Sequence, residues 1–221
     1  MIKVEELEKQ LNQNQLSELY LLYGKEKFLL DQQVRKMKKL FGELVKGINY
    51  VLIDDTNINE LIANIETPAF GYEKKLIIAK NTGIFKRESK TRVGGVSKEL
   101  KDKINDYLKE NLDLIKESVV LIFIEDEAEK NSIYNTIEKL GIVCNFEEQK
   151  PFQIIQRLKA ICNMYKVNVS ENTLQYLIEC CGTNMQDLIN ETRKLIEYAD
   201  SGGTIEKKDI DKLCIKKIES I

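Results

Sequence analysis

The hydrophobic positions along the chain form five short apolar runs, separated by longer stretches that have helical periodicity. The runs occupy residues 19–23, 49–53, 75–79, 119–124 and 142–146. Uninterrupted apolar runs are typical of strands buried on both faces, and strands that alternate with helices are typical of parallel sheets. The pattern therefore predicts an α/β fold, with a five-stranded parallel sheet and helices on both faces. Gly141 is predicted as the residue that ends the helix before the fifth strand.

The pattern changes near residue 150, beyond which the apolar positions follow helical spacing. Pro151 suits the first turn of a helix, and Gly182 is typical of a helix end. Ser170 and Asn184 are typical N-cap residues for two further helices. We therefore expect three segments: an α/β domain over residues 1–149, a small all-helical domain over 150–215 and a tail over 216–221.

A glycine turn joins the first predicted strand to the next helix, where many nucleotide-binding α/β proteins hold a phosphate. Their loop has the pattern G-x-x-x-x-G-K-[ST], in which glycines wrap the phosphates, lysine supplies charge and the hydroxyl binds magnesium. Here Gly24 and Lys25 are followed by Glu26, and the residue five before Gly24 is Leu19. The loop is too short to enclose a phosphate, and a carboxylate stands where the hydroxyl belongs. We predict that this turn binds no nucleotide.

Charge and composition narrow the range of functions. The chain has 34 lysines and arginines against 36 acidic residues, so its bulk charge does not indicate nucleic-acid binding. It contains no histidine, and its five cysteines show no C-x-x-C spacing. We therefore expect no metal site, no cofactor and reduced cysteines in a cytoplasmic protein. No apolar run approaches the roughly 18 residues of a membrane span, so no membrane partner is expected.

Three motifs carry a resemblance to a known family. A five-stranded α/β domain followed by a helical lid is the layout of an AAA+ module. Within that layout, the delta-subunit family of the bacterial DNA polymerase III clamp loader is similar to this chain in LYLLYGKEKFLL (19–30), TPAFGYEKKLIIAKN (67–81) and GTNMQDLINETRKLIEY (182–198). The matching positions of the first and third motifs are Gly24, Glu26, Phe28, Leu29, Leu30, Gly182, Asp187, Leu188, Glu191, Lys194, Leu195 and Tyr198.

The resemblance implies an AAA+-like, non-catalytic subunit that binds the ring-shaped sliding clamp and promotes ring opening for loading onto DNA during replication. The implied partners are the clamp (the beta subunit), the tau/gamma and delta prime loader subunits, and primer–template DNA through the assembled complex. The implied location is the bacterial cytoplasm, at the replisome. The family continues into a third, collar domain, which we expect to be absent from this chain.

The second motif implies the residues that contact the clamp, namely Thr67, Pro68, Ala69, Phe70, Gly71 and Tyr72. Ala69 departs from the family, which usually has two large apolar residues where this chain has Ala69–Phe70. From its spacing alone, Phe70 is equally compatible with a core position and with an exposed interface anchor. The resemblance favours partner contact.

An active AAA+ NTPase with an unorthodox site is one alternative. Glu125, Asp126 and Glu127 follow the fourth apolar run and superficially resemble the magnesium-binding acids of an ATPase. Those acids belong to the third strand of an AAA+ sheet, which ends here in Lys80–Asn81. The chain also lacks the Ser-Arg-Cys triplet that carries an arginine finger. We therefore predict that the chain is not an enzyme.

A DNA-binding adaptor is the other alternative. It rests on a basic, glycine-containing segment with Lys86, Arg87, Lys90 and Arg92. Such side chains could contact DNA phosphates with salt-dependent affinity. A solvated loop is the simpler interpretation.

Overall fold

The computed structural model describes residues 1–86 and 96–215. The chain divides into two compact units, the first from Met1 to Glu147 and the second from Glu148 onward. The predicted tail over 216–221 lies outside the described residues.

The five predicted strands form one sheet in the first unit. They are β1 (Leu19–Gly24), β2 (Tyr50–Ile53), β3 (Lys75–Lys80), β4 (Val119–Glu125) and β5 (Ile142–Phe146). Their order is β2-β3-β4-β1-β5, and all neighbouring pairs are parallel. β4 lies at the centre and is buried at every position, which explains its continuous apolar sequence. The predicted α/β fold class is confirmed.

Helices connect these strands and cover the sheet. In the described part of the first unit they are α1 (Val4–Asn12), α2 (Lys27–Phe41), α3 (Leu61–Glu66, after a 3₁₀ turn at Ile58–Glu60), α4 (Lys98–Glu110), α5 (Leu112–Ser118) and α6 (Ser132–Leu140). Leu21 and Phe123 pack in one core with Ile104 of α4 and Ile133 of α6. Because successive strand residues face opposite sides, Tyr20 is buried on the other face, where α1 and α2 contact the sheet.

Gly141 follows the last residue of α6, as predicted, but it does not have the conformation expected of a helix-ending glycine. Its φ is −142°, an extended conformation rather than the left-handed one of a helix-ending glycine. A Cβ atom at this position would lie 2.4 Å from the carbonyl oxygen of Leu19. A glycine is required here because the chain passes so close to β1.

The second unit is helical, as predicted. Its helices are α7 (Pro151–Met164), α8 (Glu171–Cys181), α9 (Met185–Ala199) and α10 (Lys207–Leu213). The Ser170 and Asn184 side chains each accept a hydrogen bond from a backbone amide in the first turn of the following helix. Gly182 ends α8 with a φ of +79°, which favours glycine.

The periodicity of the second unit did not reveal one small feature. Asn168–Val169 and Thr204–Ile205 form a short parallel strand pair, β6 and β7. The helical spacing of Ile205, Ile210 and Leu213 predicts a single last helix, but Ile205 lies in β7 and α10 begins at Lys207. Two-residue strands are too short to produce a period of their own in the sequence.

Candidate functional site

The two candidate segments of the first unit lie at opposite edges of the sheet. The glycine turn with Lys25 and Glu26 follows β1, at the carboxyl edge of the parallel strands. The segment 67–72 precedes β3 and so belongs to the amino edge. In open α/β sheets, ligands bind outside the carboxyl ends of the strands. A partner contact through 67–72 would therefore use the edge away from the usual nucleotide position.

The glycine turn is closed onto the neighbouring strand. The backbone amide of Glu26 donates a hydrogen bond to the carbonyl oxygen of Phe146, the last residue of β5, at 3.0 Å. Gly24 has a φ of +133°, and a Cβ there would lie 2.3 Å from the same oxygen. Phosphate loops bind through amides that point at the ligand. Here the Glu26 amide points at the Phe146 carbonyl oxygen instead of at a ligand.

The acids at the end of β4 are also engaged. Glu125 is buried, and its Oε1 accepts hydrogen bonds from the Thr82 amide at 2.8 Å and the Thr82 hydroxyl at 2.6 Å. Asp126 pairs with Lys27 Nζ at 2.5 Å on the surface. The hydrogen bond from Lys27 lowers the pKa of the Asp126 carboxyl. Glu125 therefore anchors the segment that follows β3, and Asp126 joins β4 to the start of α2.

Burial raises the pKa of the Glu125 carboxyl above its ordinary value of 4.5, although the hydrogen bonds from Thr82 and the charge of Lys86 act in the opposite direction. The folded state therefore binds more protons than the unfolded state between the two pKa values. The contribution of Glu125 to stability is complete below the unfolded pKa and is lost as the pH rises through the folded pKa.

We expect Glu125→Gln to remove this pH-dependent loss. The glutamine Oε1 can still accept both hydrogen bonds from Thr82, and the variant buries no charge. The unfolding free energy of the variant minus that of the wild type should increase from about pH 4.5 towards neutral pH. Denaturant unfolding at a series of pH values measures this difference. If the unfolding free energies of the two proteins change with pH in parallel, Glu125 does not change its protonation on unfolding.

The segment 67–72 forms a turn that presents Phe70 to solvent. α3 ends at Glu66, and Thr67 is extended, with φ −73° and ψ 123°, as expected of a residue before proline. The Tyr72 amide donates to the Ala69 carbonyl at 2.9 Å, and Gly71 has a φ of +84°, as at the third position of a type II turn. The side chain of Phe70 is 78% exposed. The core alternative for Phe70 is therefore wrong.

Residues 67–72 form a turn, whereas the resemblance of the second motif implies a clamp-contacting helix followed by a strand. Pro68 excludes its preceding residue from helical geometry, so the residues that would contact the clamp lie on a turn after the helix. Of the six predicted contact residues, Thr67, Pro68, Phe70 and Gly71 are exposed, whereas Ala69 and Tyr72 are half-buried.

A buried lysine fixes the base of this turn. Lys75, the first residue of β3, is only 3% exposed, and its Nζ donates to the carbonyl oxygens of Asn64 at 2.8 Å and Thr67 at 2.6 Å. The Thr67 hydroxyl donates to the Ala63 carbonyl at 2.7 Å. Burial lowers the pKa of the Lys75 ammonium. The sequence does not reveal this buried role of Lys75, because a lysine before an apolar run resembles a solvated strand end.

The basic segment is only partly described. Lys86 is exposed, and its carbonyl oxygen accepts a hydrogen bond from Lys101 Nζ at 2.7 Å. Arg87, Lys90 and Arg92 lie outside the described residues. The predicted DNA contact stays a prediction.

Residues 1–86 and 96–215 contain neither a candidate metal site nor a membrane-spanning helix. No group of three or more Cys, Asp or Glu side chains there could hold a metal ion. The five cysteines are free; Cys144, Cys162 and Cys181 are buried, and Cys180 and Cys214 are half-buried. Among the helices of the described ranges, none has the length and hydropathy needed to cross a membrane.

Together, the strand order and the glycine turn define an α/β scaffold of the nucleotide-binding type, with its phosphate position closed by the neighbouring strand. The family profile described as DNA polymerase III, delta subunit, matches residues 20–147, more than half of the chain. The chain belongs to the DNA polymerase III delta subunit family, and the resemblance inferred from the three motifs is confirmed. This family is a clamp-loader component of DNA polymerase III.

Two relatives show the extent of the similarity. The chain is 23% identical over 211 residues to the probable DNA polymerase III subunit delta of Aquifex aeolicus (strain VF5), covering 92% of this chain and 56% of that protein. The structure of the Bacillus subtilis DNA clamp loader delta protein (YqeN) matches with a TM-score of 0.73 at 18% identity, covering 97% of this chain and 63% of that one. The fold is therefore shared. The chain spans less than two thirds of either relative.

Proposed function

We propose that this chain is a non-catalytic clamp-loader subunit that binds the sliding clamp through the turn at residues 67–72. The observation that carries the proposal is Phe70, an aromatic ring 78% exposed at the tip of a turn held by backbone hydrogen bonds. Aromatic side chains supply much of the binding energy at protein interfaces, and a turn whose backbone is already fixed loses little backbone entropy on binding. In this proposal, residues 1–149 form the clamp-binding domain and residues 150–215 the lid.

The proposed consequence of binding is ring opening. A protein that binds the opened clamp more tightly than the closed one shifts the clamp towards opening by the difference between the two binding free energies. The chain needs no ATP chemistry for this task. Other loader subunits, tau/gamma and delta prime, would control when the Phe70 surface is available, and primer–template DNA would be met in the assembled complex in the bacterial cytoplasm.

The closed glycine turn supports a non-catalytic role. An NTPase needs backbone amides and a magnesium-binding hydroxyl at this position, whereas the Glu26 amide donates to Phe146 and the Glu26 side chain is a carboxylate. Glu125 is committed to Thr82 and Asp126 to Lys27. The Glu26 amide, Glu125 and Asp126 are thus all engaged by other residues of the protein.

We expect that the chain shows no saturable binding of Mg-ATP. Binding would require the Glu26 amide to leave its hydrogen bond with the Phe146 carbonyl, and no threonine or serine hydroxyl follows Lys25 to receive the magnesium ion. Isothermal titration with Mg-ATP checks this, with a confirmed nucleotide-binding AAA+ protein as the positive control. Saturable binding at micromolar nucleotide would refute the non-catalytic proposal and favour the NTPase.

A further inference from the structure

A pocket of about 370 Å³ opens beside the Phe70 turn, at the amino edge of the sheet. Its apolar wall is formed by Leu40 and Phe41, from the end of α2, and by Val120 of β4. Tyr72 completes this wall, and its amide closes the turn by donating to the Ala69 carbonyl. The same short turn therefore presents Phe70 to solvent and supplies Tyr72 to the pocket.

Acidic side chains dominate the charge at this pocket. Glu43 and Glu73 line it and are both exposed. Lys74 also lines the pocket, but its Nζ already contacts Glu18 Oε1 at 3.4 Å and donates to the Lys116 carbonyl oxygen at 2.6 Å. The Lys74 charge is thus compensated by Glu18, which leaves the two exposed carboxylates to set the sign of the local charge.

An apolar wall combined with two carboxylates selects one kind of side chain. Arginine and lysine bury an aliphatic stem along apolar surface while their charged end stays in the solvent. The cation is then attracted by the nearby carboxylates. A purely aliphatic side chain would gain nothing from the carboxylates, and an acidic one would be repelled by them.

We propose that this pocket accepts an arginine or lysine side chain of the same sliding clamp that Phe70 contacts. The inference rests on the proposed function and names a second anchor for that interface.

The test compares two double variants of the chain in titrations with the cognate clamp. Glu43→Gln/Glu73→Gln removes the two carboxylates of the pocket. The matched control, Glu6→Gln/Glu110→Gln, removes two exposed carboxylates elsewhere on the first unit and changes the net charge equally. At low salt we expect the pocket variant to bind the clamp about five-fold more weakly, the scale of two exposed ion pairs. The control should bind like the wild type, and the difference should shrink at high salt because exposed charges are screened.

The outcomes separate this proposal from the proposed function. If Phe70→Ala weakens clamp binding but the pocket variant binds like the wild type, the basic side chain is refuted and the Phe70 contact stands. Equal weakening by the pocket variant and the control would also refute the pocket, since only long-range charge would then matter. If the wild-type chain does not bind the clamp at all, the proposed function fails and the pocket proposal fails with it.

Discussion

Phe70→Ala is expected to weaken binding to the sliding clamp by about 2 kcal/mol or more, roughly thirty-fold, the scale of an aromatic hot spot. The ring is 78% exposed in the unbound chain, so its removal leaves no cavity in the core. The melting temperature should therefore stay close to that of the wild type, because exposed substitutions usually change stability by less than about 0.5 kcal/mol. Calorimetric titration with the clamp and thermal unfolding of the variant measure the two quantities.

Phe152 offers a matched control for this variant. It is the other strongly exposed phenylalanine of the described residues, at 68%, and lies in the second unit. Phe152→Ala removes the same side chain and should leave clamp binding unchanged. If both variants weaken binding equally, the effect is not specific to the turn. If Phe70→Ala lowers the melting temperature by many degrees, the ring is not exposed in solution and the site assignment is wrong.

Ala69→Leu is the companion to the Phe70 variant. It introduces the large apolar residue that the resemblance to the family implies at this position. Ala69 is half-buried beside an exposed ring, so a leucine side chain at this position would enlarge the apolar surface of the turn. We expect tighter clamp binding if the turn meets the clamp as the family's segment does.

Gly24→Ala is expected to destabilise the first unit by about 3 kcal/mol, which combines the strain of a left-handed alanine with a steric clash. The alanine Cβ would lie 2.3 Å from the Phe146 carbonyl oxygen, and this oxygen belongs to backbone that is fixed in β5. The melting temperature of the unit should fall by roughly 6–12 °C, at about 2–4 °C per kcal/mol for a chain of this size. Thermal unfolding followed by circular dichroism measures the fall.

Substitutions of two other glycines separate the steric clash from the backbone strain. Gly141→Ala introduces a close contact, 2.4 Å from the Leu19 carbonyl oxygen, without a positive φ. Gly47→Ala introduces a positive φ, +82°, with nothing within 4 Å of the new Cβ. We expect Gly47→Ala to cost about 1 kcal/mol and Gly141→Ala more than that, with Gly24→Ala the most destabilising of the three. If Gly24→Ala melts like the wild type, the glycine turn is not pressed against β5 and the phosphate position is not closed.

The strands could be predicted because each strand has its own local signal. β4 is apolar at successive positions because both of its faces are covered. Gly24 marks the end of β1. Caps at Ser170 and Asn184 are equally local. The role of Gly141 is not local. It depends on the distance to Leu19, more than a hundred residues earlier in the chain, and only the folded arrangement shows it.

The site could be predicted less completely, because burial decides the role of a polar or aromatic residue. Glu125 follows an apolar run as a catalytic acid would, but its partner Thr82 lies 43 residues earlier, at the end of the adjacent strand. Lys75 resembles a solvated strand end, yet its ammonium group is buried under two carbonyl oxygens. The spacing around Phe70 left its exposure undecided. Each of these outcomes depends on how the segments pack in the folded chain, and a hydrophobic pattern does not contain that information.

The most direct test of the proposed clamp binding is a calorimetric titration of the cognate sliding clamp with this chain. Nucleotide and the other loader subunits are left out. We expect saturable binding at micromolar concentration or tighter, because Phe70 is exposed and the proposed contact needs no ATP. The folded state of the chain is verified beforehand by its cooperative unfolding. A folded chain that shows no heat of binding at tens of micromolar clamp would contradict the proposed function.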